Sequence, residues 1–373
     1  MSVISTLPIE IMSKILGLLE SGDKYKCMLV NKEFYSSTMP ELWRNLVIST
    51  MNQLYRFINC LNGAENQIGI NIKSIRFGWY SYVSDDELLY ILALAPNLEE
   101  LKISYAQELT DKSIMAIPQY CKFLTHFQLG YSSVSNHSVQ VLGQCNQLRK
   151  LTLVECNMLD SNALKPFAHL PINYLDLTGC SWLTVNETAR DLRLFTHLTD
   201  LNIEDCDPIP TDFLHFLTTD DTGKPYLPYL KRFGVSSYQI SDDDIIPFLK
   251  AHQDIRELFL FSPGITDRTL ENITHLSHLQ YLGIKSRKEL SPPIVRKLVN
   301  QCTKLSKFIL SGLGLTYHDF PEAEPNNSGG SPAVLVAHQS SSDSVVFKWS
   351  CTELNRIRDY CLKRDNNIIE RKI

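Results

Sequence analysis

One pattern governs this chain, and it is clearest where two copies stand side by side. LRKLTLVEC begins at Leu148, and INYLDLTGC repeats its arrangement 24 residues later, so that Leu148, Leu151 and Leu153 correspond to Ile172, Leu175 and Leu177. The last two apolar positions of each copy are two apart, as in a short strand with one buried face, while SNALKPFAHL between the copies has helical spacing. Each unit therefore reads as strand, turn, helix. Setting the first apolar slot of every copy in register gives Ile72, Leu98, Leu124, Leu148, Ile172, Leu198, Leu230, Ile255, Leu279 and Leu305. Most steps are 24 to 26 residues, and stacking such units predicts an α/β array of about ten repeats with a curved parallel sheet and outer helices.

The one long step, 32 residues, contains TTDDTGKPYLP from Thr218 to Pro228, whose Asp, Gly and Pro content marks a surface insertion. Helix starts recur in register as SDDELL at Ser84, TDKSI at Thr110, SNAL at Ser161, SDDDII at Ser241 and TDRTL at Thr266. A hydroxyl followed by Asp satisfies free backbone N–H groups and complements the helix dipole, so these acids read as structural grammar. Most of the ten cysteines also follow the period. Cys156, Cys180 and Cys206 each sit three residues after the last strand slot, and Cys121, Cys145 and Cys302 fall at helix ends, as small buried fillers do.

Ahead of the array lies Leu7 to Trp43, with Leu7, Ile11, Ile15, Leu18 and Leu19 on one helical stripe. A turn at Ser21 and Gly22 is expected next, then a second helix capped by Asp23 and carrying Cys27, Val30 and Phe34, and a third from about Pro40. Three short helices make a small core, which leans on a partner, on the repeats, or on both.

This segment resembles an F-box. Leu7-Pro8, Glu10, Ile15-Leu16, Leu19, Val30 and Leu42-Trp43 follow the order of that family with nearly its spacing. Departures are Asn31 where cysteine is usual, Phe34 where tryptophan is frequent, and Lys24 where an apolar residue is common. The resemblance implies docking onto the Skp adaptor of a cullin-RING ubiquitin ligase through Leu7, Pro8, Ile11, Ile15, Leu16, Val30, Asn31, Phe34 and Trp43. The repeats resemble the cysteine-containing class of leucine-rich repeats, as in LKISYAQELTDKSI at Leu101 and, without its cysteine, LFLFSPGITDRTL at Leu258. The two together imply a substrate receptor of such a ligase.

The resulting expectation is an F-box over 1–48, a helical linker or N-terminal cap over 49–71, and leucine-rich repeats over 72–320. A Pro-, Gly- and Ser-rich loop over 321–344 follows, expected to be mobile, and then a C-terminal cap over 345–373. In that cap VVFKW returns as a closing strand, Cys351–Leu362 forms a helix and the rest frays.

In a stacked sheet the side chains between the buried leucines project from the concave face. There Asp176, Asp200 and Glu204 form an acidic patch, while Glu257, Phe259, Phe261, Tyr281 and Lys285 place aromatics between charges. Outward aromatics are enriched at interface hot spots. The substrate is expected to dock from Asp176 to Lys285, with the acids selecting basic residues, unless the 321–344 loop folds back over Phe259 and Phe261.

Several classes are disfavoured. A net charge of -5 argues against a general nucleic-acid binder, and no apolar run reaches the roughly 20 residues of a membrane helix. Glu10 and Lys14 interrupt any signal-peptide core, which points to the cytoplasm or nucleus and leaves the four Asn-X-Ser/Thr sequons without consequence. No C-x-x-C pair, histidine ligand spacing, nucleophile elbow or phosphate-binding loop occurs, so no metal, cofactor or catalytic role is expected. The alternative to a ligase subunit is a leucine-rich-repeat scaffold whose N-terminal helices only cap the core.

Overall fold

Asn31 divides the N-terminal helices. In the computed structural model, which describes residues 7–63, 68–184, 186–323 and 345–370, Asn31 is extended and its side-chain oxygen accepts the Phe34 N–H at 2.8 Å. An oxygen placed there satisfies one of the free donors of a new helix. The segment forms α1 (Ile9–Gly17), α2 (Ser21–Met28) and α3 (Lys32–Trp43). Three expectations change as a result. α2 begins at Ser21 with no turn at Ser21 and Gly22, it ends before Val30 and Phe34, and Pro40 lies inside α3.

The sheet starts earlier than the leucine pattern indicates. β1 (Asn45–Thr50) runs parallel to β2 (Ser74–Tyr80), pairing Asn45 with Ser74 and Ile48 with Phe77. α4 (Met51–Gly63) follows and buries Leu54, Phe57 and Leu61. Residues 45–63 are thus a strand–helix unit, and a boundary at residue 48 would cut through its strand. β1 lacks the apolar signature because Ile48 alone is buried while Val47 faces solvent.

The chain forms two compact units divided after Pro171. In the first, β1 and β2 are followed by α5 (Asp85–Leu94), β3 (Glu100–Ile103), α6 (Asp111–Tyr120), β4 (His126–Gly130), α7 (Asn136–Val141) and β5 (Lys150–Val154), all strands parallel. The second holds β6 (Tyr174–Asp176), α8 (Asn186–Leu192), β7 (Asp200–Ile203), β8 (Arg232–Ser236), α9 (Asp242–Ala251), β9 (Glu257–Phe261) and α10 (Asp267–Ile273). It continues through β10 (Tyr281–Glu289), α11 (Pro292–Gln301), β11 (Lys307–Leu313), β12 (Val345–Trp349) and α12 (Cys351–Glu370). Strands β6 to β11 are parallel neighbours in sequence order, and β12 closes the edge antiparallel to β11. All ten apolar slots, from Ile72 to Leu305, are at most 1% exposed.

Other details depart from the sequence pattern. SNALKPFAHL contains only a 3-10 turn, Lys165–Phe167, in place of the expected helix. α12 continues past Leu362 to Glu370, where fraying was expected; it buries Leu354 and Ile357, and the Arg358 guanidinium donates to the carbonyls of Val299, Cys302 and Leu305. The Thr218–Pro228 insertion is held by Arg193, whose guanidinium lies 4.1 Å from the Tyr226 ring centroid. The expected loop over 321–344 falls outside the described residues from 324 onward.

Successive repeats are joined by a recurring link. Asp85, the first residue of α5, accepts hydrogen bonds from the N–H and hydroxyl of Thr110 and from the Ser113 hydroxyl. Asp111 does the same for Ser135, Asp242 for Thr266 and Thr269, and Asp267 for Ser291. Hydroxyls such as Ser84, Thr110 and Thr266 cap their own helices, while the acids beside them reach the start of the next repeat. In parallel, Asp86 pairs with Lys112 at 2.7 Å and Asp243 with Arg268 at 2.9 Å, both well exposed. Burial opposes the charge on Asp85, but hydrogen bonds from Ser113 and Thr110 outweigh it and hold the carboxyl below its usual range. Asp111 behaves likewise through Ser135 and Ser138.

Cys156, Cys180 and Cys206 are wholly buried, and the Cys206 thiol donates to the Leu177 carbonyl. Burial pushes Cys121 up to about 12 and Cys145 and Cys302 up to about 11.

Three outcomes follow from these links. Asp242→Ala leaves the donors of half-buried Thr266 and buried Thr269 unmatched and should cost about 2 kcal/mol in urea unfolding, whereas Asp243→Ala should cost under about 0.5 kcal/mol. A carboxyl whose pKa is lower folded than unfolded stabilises the fold above its unfolded value, near 4, and loses that contribution as pH falls through the folded value. Melting temperature should therefore drop on acidification to about pH 3, and Asp85→Asn with Asp111→Asn should flatten that drop. Under native conditions mass spectrometry should find the exposed Cys60 and Cys351 alkylated quickly, while Cys121, Cys145, Cys156, Cys180, Cys206 and Cys302 react only on unfolding.

Candidate protein-binding surfaces

The N-terminal helices turn apolar side chains both ways. Met12 and Leu16 point into the core, Leu16 only 1% exposed, so Leu16 supports the surface from behind. Leu7, Ile11, Ile15, Leu18, Leu29 and Val30 lie 36% to 88% exposed. Pro8 and Asn31 are also exposed, and Phe34 and Trp43 are half-buried. The Trp43 ring stacks on Phe57 of α4 at 6.3 Å, and its Nε1–H donates to Met39 Sδ at 3.2 Å. Sequence spacing brought out Leu7, Ile11, Ile15 and Val30. It did not bring out Leu29, Tyr25 and Tyr35, which are exposed beside them and belong to no helical stripe.

In the second unit, the eight residues picked out from the sequence lie on the strands or at their ends. Asp176 is on β6, Asp200 on β7 and Glu204 just after it, Glu257, Phe259 and Phe261 on β9, and Tyr281 and Lys285 on β10. Strand register sets Tyr174, Asp200, Arg232, Glu257, Tyr281 and Lys307 in one row, apart from the β5 side. The neighbouring row is Asp176, Asn202, Gly234, Phe259, Gly283 and Ile309. On β6, β7 and β9 buried apolar residues alternate with half-buried ones, which is why the two sides of these strands differ.

Glycines shape this face. A Cβ on Gly283 would come within 2.9 Å of the Phe259 ring, and one on Gly234 within 2.7 Å of both Asn202 Oδ1 and Glu204 Oε1. Phe259 thus leans over Gly283 and meets Tyr281 edge-on at 4.8 Å. The Arg232 guanidinium lies 5.4 Å from the Phe259 ring and pairs with Glu257 at 3.5 Å, while Lys307 lies 5.6 Å from the Tyr281 ring. Phe259 and Tyr281 are half-buried, and each is faced by one cation. A cover from 324–344 falls outside the described residues.

Burial, with Asp205 and Asp176 nearby, raises the Glu204 carboxyl above its usual range despite Arg232. Burial and Asp176 push Tyr174 up to about 12. The acidic end of the face therefore holds negative charge at close quarters, which a cation relieves.

The first unit carries an aromatic group that the leucine pattern did not reveal. Trp79, Tyr105 and Tyr131 occupy one slot of three repeats, with ring centroids 4.8 to 6.0 Å apart, and Tyr82 meets Tyr105 edge-on. Their 26-residue spacing was the available signal. Among the described residues no cluster of three His, Cys, Asp or Glu side chains is placed to hold a metal, and no helix is long and apolar enough to cross a membrane.

Comparison with known proteins bears on both parts. Residues 4–78 match the family model described as the COS11 F-box domain. A curated relative, Antagonist of mitotic exit network protein 1 of Candida glabrata, is 29% identical over 143 residues, which is 36% of this chain and 28% of that protein's length. Among solved structures, yeast Rad7 in complex with Elc1 superposes with a TM-score of 0.56 at 17% identity, covering 80% of this chain and 85% of that one. An internalin from Listeria monocytogenes gives a TM-score of 0.46 at 17% identity, covering 77% and 79%. The chain therefore carries an F-box domain at its N-terminus, followed by a fold of the leucine-rich-repeat kind.

Proposed function

We propose that this protein is the substrate-recognition subunit of a Skp-cullin-F-box ubiquitin ligase. The observation that carries the reading is an F-box whose Leu7, Ile11, Ile15, Leu18, Leu29 and Val30 remain in solvent. A cluster of this kind is costly in water and marks a binding face, and an F-box implies a Skp-type adaptor as its occupant. Through the adaptor the chain joins a cullin-RING ligase, and its repeats hold a protein substrate across the face from Asp176 to Lys285. Such a tether raises the effective concentration of substrate lysines near the ligase's ubiquitin carrier without chemistry of its own. The likeness to Rad7, solved with Elc1, supports a role exercised through protein partners. The repeats read best as the cysteine-containing class, and the site of action as the cytosol or nucleus.

Ile11→Asp with Ile15→Asp changes exposed side chains only and should leave the melting temperature within a few degrees, since surface changes cost about 0.5 kcal/mol or less. The same pair should weaken capture of purified Skp adaptor by more than about tenfold. Failure of the unaltered chain to capture the adaptor, or equal capture by the variant, would sink the ligase reading and favour a scaffold.

A further inference from the structure

A cleft of about 250 Å³ opens where β7 to β10 turn off the sheet of the second unit. Asp205 and Asp207, from the turn after β7, line it together with Lys285 and Arg287 of β10, Phe261 of β9 and the buried Ser237. Strands β8 and β9 lie between the acids and the cations in the sheet. Three strand spacings separate the two charge groups by roughly 14 Å at the backbone.

The charges are held in place but not neutralised. Ser236 Oγ donates to Asp205 Oδ1 at 2.9 Å, the Tyr238 N–H donates to Asp207 Oδ1 at 3.1 Å, and the Arg287 guanidinium rests 5.6 Å from the Tyr238 ring. Among the described residues none of the four has an ion-pair partner, although both signs line one cleft. Phe261 is level with Lys285 and with Ser236 in the strand register, so an apolar wall stands midway.

A nucleic acid would meet the two acids, a metal ion the two cations, and a purely basic peptide Lys285 and Arg287. An extended peptide advances about 3.3 Å per residue, so roughly four residues cross the gap.

We propose that this cleft binds an extended peptide segment of mixed charge. Its basic side chain lies at Asp205 and Asp207, an acidic side chain about four residues away lies at Lys285 and Arg287, and an apolar side chain between them rests on Phe261. The inference rests on the proposed substrate-binding role of the repeats and names the polarity of what they bind.

Fluorescence anisotropy on the intact chain, with labelled synthetic peptides, tests it. One peptide carries Arg and Asp about four residues apart around a leucine, a second is all-basic, a third all-acidic, and a fourth sets Arg next to Asp. The first should bind at least about tenfold more tightly than the others and weaken with salt. Asp205→Asn with Asp207→Asn keeps both hydrogen-bond acceptors, and Asn suits the left-handed backbone of residue 205 at φ 55°. That pair should abolish the preference over the all-acidic peptide, and Lys285→Gln with Arg287→Gln the preference over the all-basic one. Absence of saturable binding by the first peptide, equal binding of all four, or preferences unmoved by these substitutions would overturn the proposal. Adaptor capture measured on the same variants separates the cases, because unchanged capture confines the failure to the cleft.

Discussion

The link from one helix start to the next holds the repeats in register. Burial of Ile72, Leu98, Leu124 and their counterparts supplies most of the driving force, but it is non-directional, and a leucine slot tolerates sliding. The carboxylate of Asp85 on the backbone and hydroxyl of Thr110 does not, since a shift of one residue leaves a charged acceptor and a helix-start donor both unmatched. Asp111, Asp242 and Asp267 repeat the arrangement. The link changes where α-helix gives way to 3-10 turns. There Asn136, the first residue of α7, takes the place of the acid and accepts the Asp160 N–H at 3.0 Å, while Asp160 accepts the Asn162 N–H just before the Lys165–Phe167 turn. Asp212, before the His215–Leu217 turn, receives Asn186 Nδ2 from the preceding repeat.

Fixed register is what gives the sheet face a meaning. Because Tyr174, Asp200, Arg232, Glu257 and Tyr281 fall in one row, a change of residue along the row is a change of chemistry along a line in space. The row passes from Tyr174 and Asp200 through the paired Arg232 and Glu257 to Tyr281 and ends at Lys307. Gly234 and Gly283 interrupt the parallel row and let Asn202, Glu204 and Phe259 lie down across the strands. Side chains that lie flat exchange partners within the face, which is why Phe259 is held by Arg232 and Tyr281.

The leucine period made the strands, their order and the buried slots legible, because a two-residue alternation beside an apolar helix survives in any repeat that buries both. Legibility failed where a unit buries little or ends on chemistry of another kind. Asn45–Thr50 buries only Ile48, so β1 resembled the end of the helical segment. Asn31 starts α3 through a side-chain oxygen, a local bond that an apolar stripe continuing to Phe34 conceals. The Asp of each helix start was visible as a cap, but its reach to the next repeat was not, since one sequence motif serves both bonds. Of the sheet-face residues, position along the strand was readable from alternation, whereas the cations placed over Phe259 and Tyr281 depend on register and on two glycines. The Asp205–Arg287 cleft joins the turn after β7 to the end of β9 and the far half of β10, beyond the buried leucine slots that carry the period.

The two surfaces differ in how much of their bonding is already complete. Around Ile11, Ile15 and Val30 the chain leaves apolar area in water with none of the described residues folded over it, and such area resembles a core cut open, the character of long-lived interfaces. On the sheet face nearly every polar side chain has a neighbour, as with Thr178 on Asp176, Thr199 on Asp200 and Glu257 on Arg232. A ligand there exchanges existing contacts for new ones, so its net gain is small and set by charge match, as in transient recognition. A receptor in a ligase needs this asymmetry: its adaptor must stay through many cycles, while each substrate must leave once it is modified. The physical difference between the two faces therefore supports the proposed role independently of the resemblance of either part to a family.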